Sequence, residues 1–169
     1  GPCAIEDDQT GFKIAEKVKS ICHQYDIDYI FKASYRKANR SKNNSFTGIG
    51  DEIALKTIQK IGQEYNLPTI TDVHESYEPE KVAKYVSNLQ IPAFLCRQTD
   101  LLIAAGKTGL GVNIKKGQFM SPSSMGFAVE KVKSTGNNNV WLYERGNSFG
   151  YNDLIVDATS IFQLKKHNV

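Results

Sequence analysis

The sequence predicts an α/β fold, an incomplete (β/α)8 barrel, and three observations support this prediction. Short apolar or β-branched runs alternate with amphipathic segments of helical spacing. An open nucleotide-binding sheet requires a glycine-rich dinucleotide motif after its first strand, and no such motif follows the first run here. Polar and charged residues concentrate directly after the runs, which is where a barrel carries its functional residues.

Six runs are predicted to form the strands, and each is followed by a helical candidate. They are CAI at 3–5, DYIFKAS at 28–34, PTITDV at 68–73, LQIPAFL at 89–95, GVNIKK at 111–116 and NVWLYERG at 139–146. Strict alternation of strand and helix implies parallel strands joined by right-handed crossovers. Two architectures meet this condition, an open doubly wound sheet and a closed eight-stranded barrel.

Three of the helical candidates carry start or stop signals. The segment 49–66 has acidic residues in its first turn and an apolar side formed by Ile53, Leu55, Ile58 and Ile61. The segment 121–136 opens with a serine cap and Pro122 and stops at Gly136. The segment 152–168 closes on a run of basic residues. All three are predicted to be helices.

A barrel explains the placement of the unusual residues better than an open sheet does, because its strand ends converge on one mouth. The residues that follow predicted strands 2 to 6 are Lys32 to Arg40; Asp72, His74 and Glu75; Arg97 and Gln98; Lys115, Lys116 and Gln118; and Glu144 and Arg145. A complete barrel needs about 250 residues. Residues 1–169 are therefore expected to form a single incomplete barrel domain, with the N-terminal start and strands 7 and 8 outside the chain.

Composition excludes several other classes. The chain is 40% hydrophobic and 23% charged, which is typical of a globular domain with a real core. A net charge of +3 does not by itself indicate a nucleic-acid partner, and no apolar run approaches the length of a membrane span. Three cysteines without close spacing favour a reducing compartment, so a cytoplasmic location is predicted.

The cations at the strand ends predict a site for phosphates and carboxylates. Such a mouth would contain Lys32, Lys37, Arg40, Arg97, Lys115 and Arg145. Arginine offers a planar fork to phosphate and lysine a point charge. Solvated rim charges remain the alternative, above all for Lys42, Lys116 and Arg36. The predicted ligand is small and carries several negative charges.

Other polar residues near the same ends have two readings each. The side-chain amides of four residues can hydrogen-bond to sugar hydroxyls, or they can stabilise turns. These residues are Asn39, Gln98, Asn113 and Gln118. His74 can act as an acid, a base or a metal ligand, or it can be a surface histidine. Cys3 can be a small buried residue or a soft metal ligand at the end of the first strand.

Several motifs together resemble a known enzyme family. In order along the chain they are GPCAIE, FKASYRKANRS, TDVHE, LQIPAFLCRQTDLL, VNIKKGQF and ERGNSFGYNDLIVD. This series resembles the metal-dependent form of 3-deoxy-D-manno-octulosonate 8-phosphate synthase. Related 3-deoxy-D-arabino-heptulosonate 7-phosphate synthases have a K-P-R-[ST] type segment where this chain has KANRS. The resemblance therefore implies arabinose 5-phosphate, rather than erythrose 4-phosphate, as the sugar.

The resemblance implies a transferase of the lipopolysaccharide pathway that condenses phosphoenolpyruvate with arabinose 5-phosphate and releases phosphate. It implies that Lys32, Ser34 and Lys37 hold the carboxylate region of phosphoenolpyruvate. Its phosphate would be held by Lys115 and Arg145, with Gln118 and the backbone near Ala93. Arg97 is expected to be a further substrate-binding residue. The sugar phosphate would be held by Asn39, Arg40 and Ser41. The residues implied in catalysis are Lys37, Asn39, Asp72 and His74.

The resemblance also implies an assembly and a metal. Arg40 and Ser41 are expected to reach the mouth of a neighbouring subunit in a homotetramer. Cys3 stands where metal-independent members have asparagine, so it implies a divalent transition metal such as zinc, iron or manganese. The family's remaining ligands, a histidine, a glutamate and an aspartate, are expected beyond Val169. For that reason the 169 residues are not expected to be active alone.

Two rival functions remain open from the sequence. A Schiff-base aldolase of phosphorylated sugars would use Lys115 or Lys116 as its nucleophile. A non-catalytic relative that binds phosphate sugars or RNA would keep only the cationic surface. Our interpretation favours the synthase, with no nucleic acid and no membrane as partners.

Overall fold

The computed structural model describes residues 1–169, and its main sheet confirms the α/β prediction. Strands β1 to β5 form a five-stranded parallel sheet in the order β1-β2-β3-β4-β5, and β6 and β7 form a separate two-stranded sheet. The strands are Phe31–Lys32, Thr69–Asp72, Asn88–Ile91, Gly111–Lys115, Val140–Tyr143, Asn147–Phe149 and Asp153–Ile155. The order follows the chain without reversal, whereas a doubly wound sheet reverses at a switch point. The sheet is thus consistent with part of a (β/α)8 barrel.

There are six α-helices: one precedes each of β1 to β5, and the last follows β7. They are α1 Thr10–Gln24, α2 Asp51–Tyr65, α3 Glu78–Val82, α4 Thr99–Lys107, α5 Gly126–Lys133 and α6 Thr159–Lys165. Two short 3-10 helices, Ala93–Leu95 and Ser123–Met125, precede α4 and α5. None of the helices has the length and apolar character needed to cross a bilayer.

The chain forms two compact units, of which the first contains Gly1–Asp72 and Val82–Asn88. In it, β1 pairs in parallel with β2, with Phe31 opposite Thr69 and Lys32 opposite Ile70. Helix α2 presents a stripe of apolar residues with helical spacing, and Leu55, Ile58 and Ile61 are fully buried. Helix α1 packs on α2 so closely that a Cβ on Gly11 would lie 2.9 Å from Ile61.

The second unit contains Val73–Lys81 and Leu89–Val169. Strands β4 and β5 pair in parallel from Val112 opposite Val140 to Lys115 opposite Tyr143. Helices α4 and α5 approach so closely that a Cβ on Gly106 would lie 3.0 Å from the carbonyl oxygen of Val132. The parallel pairing of β4 with β5 places the carboxyl ends of these two strands side by side.

Two predicted strands are shorter in the structure than in the sequence prediction. The run 3–5 is only an isolated bridge between Ala4 and Ser34, and the run 28–34 keeps strand geometry at Phe31–Lys32. Asp7 follows the first run closely and accepts hydrogen bonds from the backbone N–H groups of Gln9 and Thr10, which forms the turn that leads into α1.

Proline ends another strand sooner than predicted. The run 89–95 stops at Ile91, because Pro92 has no N–H to continue the ladder and a 3-10 turn follows it. Helix α5 likewise begins at Gly126 after a 3-10 turn, in which the N–H of Ser124 donates to the Ser121 hydroxyl at 3.3 Å. The predicted serine start is therefore present, one turn ahead of the α-helix.

The prediction of one helix over 152–168 is wrong in its first half. Residues Asp153–Ile155 form β7, which pairs antiparallel with β6 in a hairpin that the sequence did not reveal. Helix α6 begins only at Thr159, whose N–H donates to the Asp157 carboxylate at 2.9 Å. Ile53 is a second error, since 55% of it is exposed on α2 while Ala54 is buried.

Candidate active site

The first group of predicted site residues lies at the carboxyl ends of β1 and β2. Ala33 continues the ladder after β1 by donating to Ile70, and Ser34 donates its N–H to the carbonyl of Cys3. Because the two strands run parallel with Lys32 opposite Ile70, the segment that follows β1 lies beside Asp72, the last residue of β2. The side chains there meet around one hydroxyl group.

The hydroxyl of Ser34 is the centre of this cluster, which we call the Ser34 cluster (Lys32, Ser34, Lys37 and Asp72). Ser34 is fully buried and donates to Asp72 Oδ2 at 2.8 Å. It accepts hydrogen bonds from Lys32 Nζ at 2.9 Å and Lys37 Nζ at 2.8 Å. Lys32 Nζ also lies 3.3 Å from Asp72 Oδ1. Four predicted site residues are therefore brought together.

The Ser34 cluster is suited to hold an anionic group. Two ammonium groups and one carboxylate leave one positive charge in excess, and the hydroxyl fixes the spacing of both lysines. The side chain of Lys32 remains 28% exposed, so its ammonium group can still reach a ligand. A carboxylate or phosphate oxygen can accept from both lysines without displacing Asp72.

The segment after this cluster holds the residues predicted for the sugar phosphate. Asn39, Arg40 and Ser41 are all exposed. Arg40 Nε donates to the carbonyl of Phe46 at 3.1 Å, and the N–H of Lys37 donates to Thr47 at 2.8 Å, which closes the loop. The arginine is thus fixed to its own loop, on a surface open to a ligand or a partner chain.

The second group of predicted residues lies in the second unit, and His74 is its first member. Its ring Nδ1 lies 3.4 Å from Glu78 Oε2, and its backbone N–H donates to the same oxygen at 2.6 Å. The side chains of His74 and Glu78 are 7% and 6% exposed. Glu78 was missed from the sequence, although its spacing of four residues from His74 is the signal for such a pair.

The residues predicted for the phosphate lie after β4 and β5. Lys115 ends β4, is half-buried and holds its Nζ 5.9 Å from the ring centre of Tyr143, the last residue of β5. Arg145, also half-buried, follows two residues after Tyr143, and the Gln118 carbonyl accepts from Ser148 at 3.0 Å. Adjacent parallel strands therefore present the segments that carry these residues side by side.

The sequence left open whether Lys116 is a solvated charge at the rim of the site. In the structure it is completely buried, so it is not a rim charge. Its ammonium group donates to the carbonyl of Gly146 at 3.1 Å and to Asn147 Oδ1 at 2.8 Å. A Schiff-base nucleophile needs a free lone pair and access to a carbonyl substrate. The Lys116 ammonium meets neither condition in this arrangement. Arg36, another candidate rim charge, lies 3.8 Å from the carboxylate of Asp51.

Two further predicted residues, Ala93 and Arg97, follow β3. Ala93 is buried at the start of a 3-10 turn, and Arg97 is exposed. Arg97 lines a cavity of about 140 Å³ with Cys96 and Phe127 among its other lining residues. Burial raises the pKa of the Cys96 thiol, since the thiolate is the charged form.

Asn113, another predicted residue, lies within β4. Its side-chain amide donates a hydrogen bond to Gln90 Oε1 at 3.2 Å, so it bonds to a side chain of the neighbouring strand.

The predicted metal ligand Cys3 is an exposed free thiol. Residues 1–169 contain no group of three or more His, Cys, Asp or Glu side chains arranged to hold a metal ion. A thiolate is a suitable ligand for a divalent transition metal, but a stable site needs several ligands. Cys3 thus fits as one ligand of such a site and does not form one by itself.

The sheet, with cationic residues at its strand ends, defines an α/β protein of barrel type, and comparison with known proteins gives the family. The model of the DAHP synthetase I family matches residues 1–169. The chain belongs to this family.

Individual relatives are about 50% identical to this chain over the aligned residues. A 2-dehydro-3-deoxyphosphooctonate aldolase of Fusobacterium nucleatum is 50% identical over 168 residues, which are 99% of this chain and 60% of the relative. The protein of the same name from Koribacter versatilis is 51% identical over 95% of this chain and 58% of its own length. The one from Pisum sativum is 48% identical over 99% and 58%. The chain thus spans about three fifths of these relatives.

Proposed function

We propose that the full-length protein condenses phosphoenolpyruvate with D-arabinose 5-phosphate to give 3-deoxy-D-manno-octulosonate 8-phosphate and phosphate. The observation that carries this proposal is the Ser34 cluster, which holds two lysines around one buried hydroxyl at the end of a barrel strand. Relatives of about 50% identity that are named 2-dehydro-3-deoxyphosphooctonate aldolase support the same reaction.

Both substrates are anions, so their approach requires fixed positive charge. In the proposed complex, Lys32, Ser34 and Lys37 bind the carboxylate of phosphoenolpyruvate. Lys115 and Arg145 bind its phosphate, with Gln118 and the backbone near Ala93. Arg97 is proposed as a further substrate-binding residue. Fixed cations oppose the repulsion between the two substrates and hold their reacting carbons in contact.

The proposed reaction forms one carbon–carbon bond and one carbon–oxygen bond, the latter from water, and breaks the carbon–oxygen bond to the phosphate. The vinyl carbon of phosphoenolpyruvate attacks the aldehyde carbon of the sugar, while water adds to the second carbon of phosphoenolpyruvate. The resulting intermediate loses phosphate. The aldehyde oxygen gains a proton and the added water loses one, and we assign these transfers to Asp72 and His74. Glu78 fixes the orientation of the His74 ring.

The sugar end of the site is proposed to involve a second subunit. Asn39, Arg40 and Ser41 bind the sugar and its phosphate, and their exposure in the structure is what such a shared site requires. The proposed assembly is a homotetramer in the cytoplasm, where the product enters lipopolysaccharide synthesis. Asn39 and Lys37 complete the proposed catalytic set.

We also propose a divalent transition metal, zinc, iron or manganese, with Cys3 as one ligand. The exposed thiol of Cys3 supports this, and the remaining ligands are proposed to lie outside the 169 residues. A bound metal of this kind polarises an oxygen atom or lowers the pKa of bound water. The carboxylate-binding and phosphate-binding roles of the lysines do not depend on it.

The decisive experiment supplies phosphoenolpyruvate to the full-length protein with either arabinose 5-phosphate or erythrose 4-phosphate. Phosphate release and an eight-carbon product, identified by mass spectrometry, are expected only with arabinose 5-phosphate. Preferential use of erythrose 4-phosphate would assign the chain to the seven-carbon branch of the family. A covalent adduct at Lys115 or Lys116 after borohydride treatment would support the Schiff-base mechanism instead.

A further inference from the structure

Lys116 is the most completely enclosed charge near the proposed phosphate site. None of its surface is exposed, and its ammonium group donates to Asn147 Oδ1 at 2.8 Å and to the carbonyls of Gly146 and Gly117 at 3.1 and 3.3 Å. It also lies 3.5 Å from Glu144 Oε1, and the Glu144 side chain is only 9% exposed. A buried ammonium group with four oxygen neighbours is a fixed structural contact.

These contacts join the segment that follows β4 to the segment that follows β5. The N–H of Lys116 donates to the carbonyl of Tyr143 at 2.9 Å, so the parallel ladder extends one residue past β4. Glu144 then turns back, and its Oε1 accepts from the N–H of Gly146 at 2.6 Å. Gly146 has a φ of 90°, a left-handed conformation that favours glycine. Lys116 and Glu144 therefore define the path of this turn.

The turn contains Arg145, and Lys116 is the neighbour of Lys115 in the chain. Side chains alternate between the two faces of a strand, so Lys115 is directed away from the face on which Lys116 is buried. The backbone that orients both proposed phosphate ligands is thus fixed by one ion pair and its hydrogen bonds. Their position relative to each other depends on Lys116.

We propose that Lys116 is a positioning residue that orients Arg145 and Lys115 for the phosphate of phosphoenolpyruvate, without touching it. This inference rests on the function proposed above. Glu144 neutralises the charge of Lys116, so the pair adds no net charge to the site. The second carboxylate oxygen of Glu144 is buried without a hydrogen-bond partner, so loss of Lys116 would leave that carboxylate without its cation.

The test uses variants of the full-length protein and inorganic phosphate as the probe. Lys116→Met keeps most of the volume and removes every donor. Glu144→Met removes the acceptor, and the double variant Lys116→Met/Glu144→Met leaves no buried charge. Lys107→Met makes the same chemical change at an exposed lysine in the last turn of α4 and is the matched control. Phosphate affinity is measured by titration calorimetry, and KM is measured for each substrate.

The positioning role and a purely electrostatic role predict opposite changes in phosphate affinity for Glu144→Met. If Lys116 positions the ligands, both single variants weaken phosphate binding, by about tenfold or more, because small misplacements of binding groups are costly. The KM for phosphoenolpyruvate rises in parallel, and that for arabinose 5-phosphate changes less than about twofold. If the pair acted only through its charges, Glu144→Met would strengthen phosphate binding, and that result would overturn the proposal. Lys107→Met should match the unmodified protein.

The double variant keeps the test decisive if a single variant fails to fold. Replacing a buried ion pair by apolar residues of similar volume is often neutral for stability. The double variant should therefore fold and still bind phosphate weakly, whereas unmodified affinity in it would overturn the proposal. Absence of condensation by the unmodified protein would refute the proposed function alone, because the phosphate affinities judge Lys116 separately.

Discussion

Replacing Ser34 by alanine tests the central contact of the proposed carboxylate site. The hydroxyl is fully buried, donates to Asp72 and accepts from Lys32 and Lys37 at 2.8 to 2.9 Å. Alanine fits the same space without strain, so the variant removes three hydrogen bonds and little packing. The Ser34→Ala variant therefore isolates the polar role of this residue.

The expected loss of stability is smaller than three separate bonds would suggest. A hydrogen bond to a charged group contributes about 1.5 to 3 kcal/mol. Lys32 is 28% exposed and can regain water, whereas the Asp72 side chain is 11% exposed and keeps Lys32 at 3.3 Å. The bond to Asp72 thus dominates, and we expect a loss of about 2 kcal/mol in the free energy of unfolding. The KM for phosphoenolpyruvate should rise as well, because the two lysines lose their common anchor.

Urea unfolding of the full-length protein measures this loss. With a slope of about 2 kcal/mol per molar urea, the midpoint should fall by about 1 M. Ser20→Ala is the control, because Ser20 is exposed on α1 and its replacement should change stability by less than about 0.5 kcal/mol. A Ser34→Ala midpoint equal to that of the control, with an unchanged KM, would refute the role of the hydroxyl.

The remaining predictions concern the phosphate, the assembly, the metal and the thiols. Arg145→Ala and Lys115→Ala should each raise the KM for phosphoenolpyruvate about ten- to hundredfold, since a charged contact contributes about 1.5 to 3 kcal/mol; unchanged kinetics in both would contradict their placement. Sedimentation should give a tetramer, and an active monomer would exclude the shared sugar site. Chelation should abolish activity and added divalent ion restore it, with faster thiol labelling of Cys3 in the chelated protein; full activity without detectable metal would remove Cys3 from that role. Because burial raises the pKa of Cys96, its thiolate is scarcer at pH 8 than that of an ordinary thiol. Alkylation there should therefore be slow and increase only at higher pH, and a rate equal to that of Cys3 would contradict the burial.

The alternation of strands and helices was predictable because each element repeats a short local pattern. Strands β2, β4 and β5 fall within their predicted runs, and α2 within its predicted segment, with the residues at its apolar spacing buried, apart from Ile53. The β6–β7 hairpin was missed because its apolar residues fit a helical spacing equally well. The pairing of Asn147 with Ile155 across the hairpin decides in favour of strand over helix, and the spacing within the segment does not reveal this pairing.

The residue types of the candidate site were predictable, but their partners were not. Charge at a strand end predicted Lys32 and Lys37, whereas the Ser34 hydroxyl that joins them depends on the pairing of β1 with β2. Lys116 is the clearest failure, since nothing in KKGQF distinguishes the buried lysine from its half-buried neighbour. The distinction arises from strand alternation combined with the turn after β5, which supplies the acceptors.

The positive charge is divided between the Ser34 cluster and the proposed phosphate ligands in the proportion that the proposed substrate requires. A general excess of lysine would not give this match. The Ser34 cluster retains one positive charge after Asp72 is counted, which equals the single negative charge of a carboxylate. The Lys116–Glu144 pair retains none. The phosphate, with a charge of about −2, must then be met by Lys115 and Arg145. At about 4 Å, two unit charges interact by about 4 kcal/mol near a protein surface, so a mismatch of one charge would weaken binding strongly. Exchange of the two ends of phosphoenolpyruvate between these sites would create such a mismatch at both, and this fixes its orientation in the proposed complex.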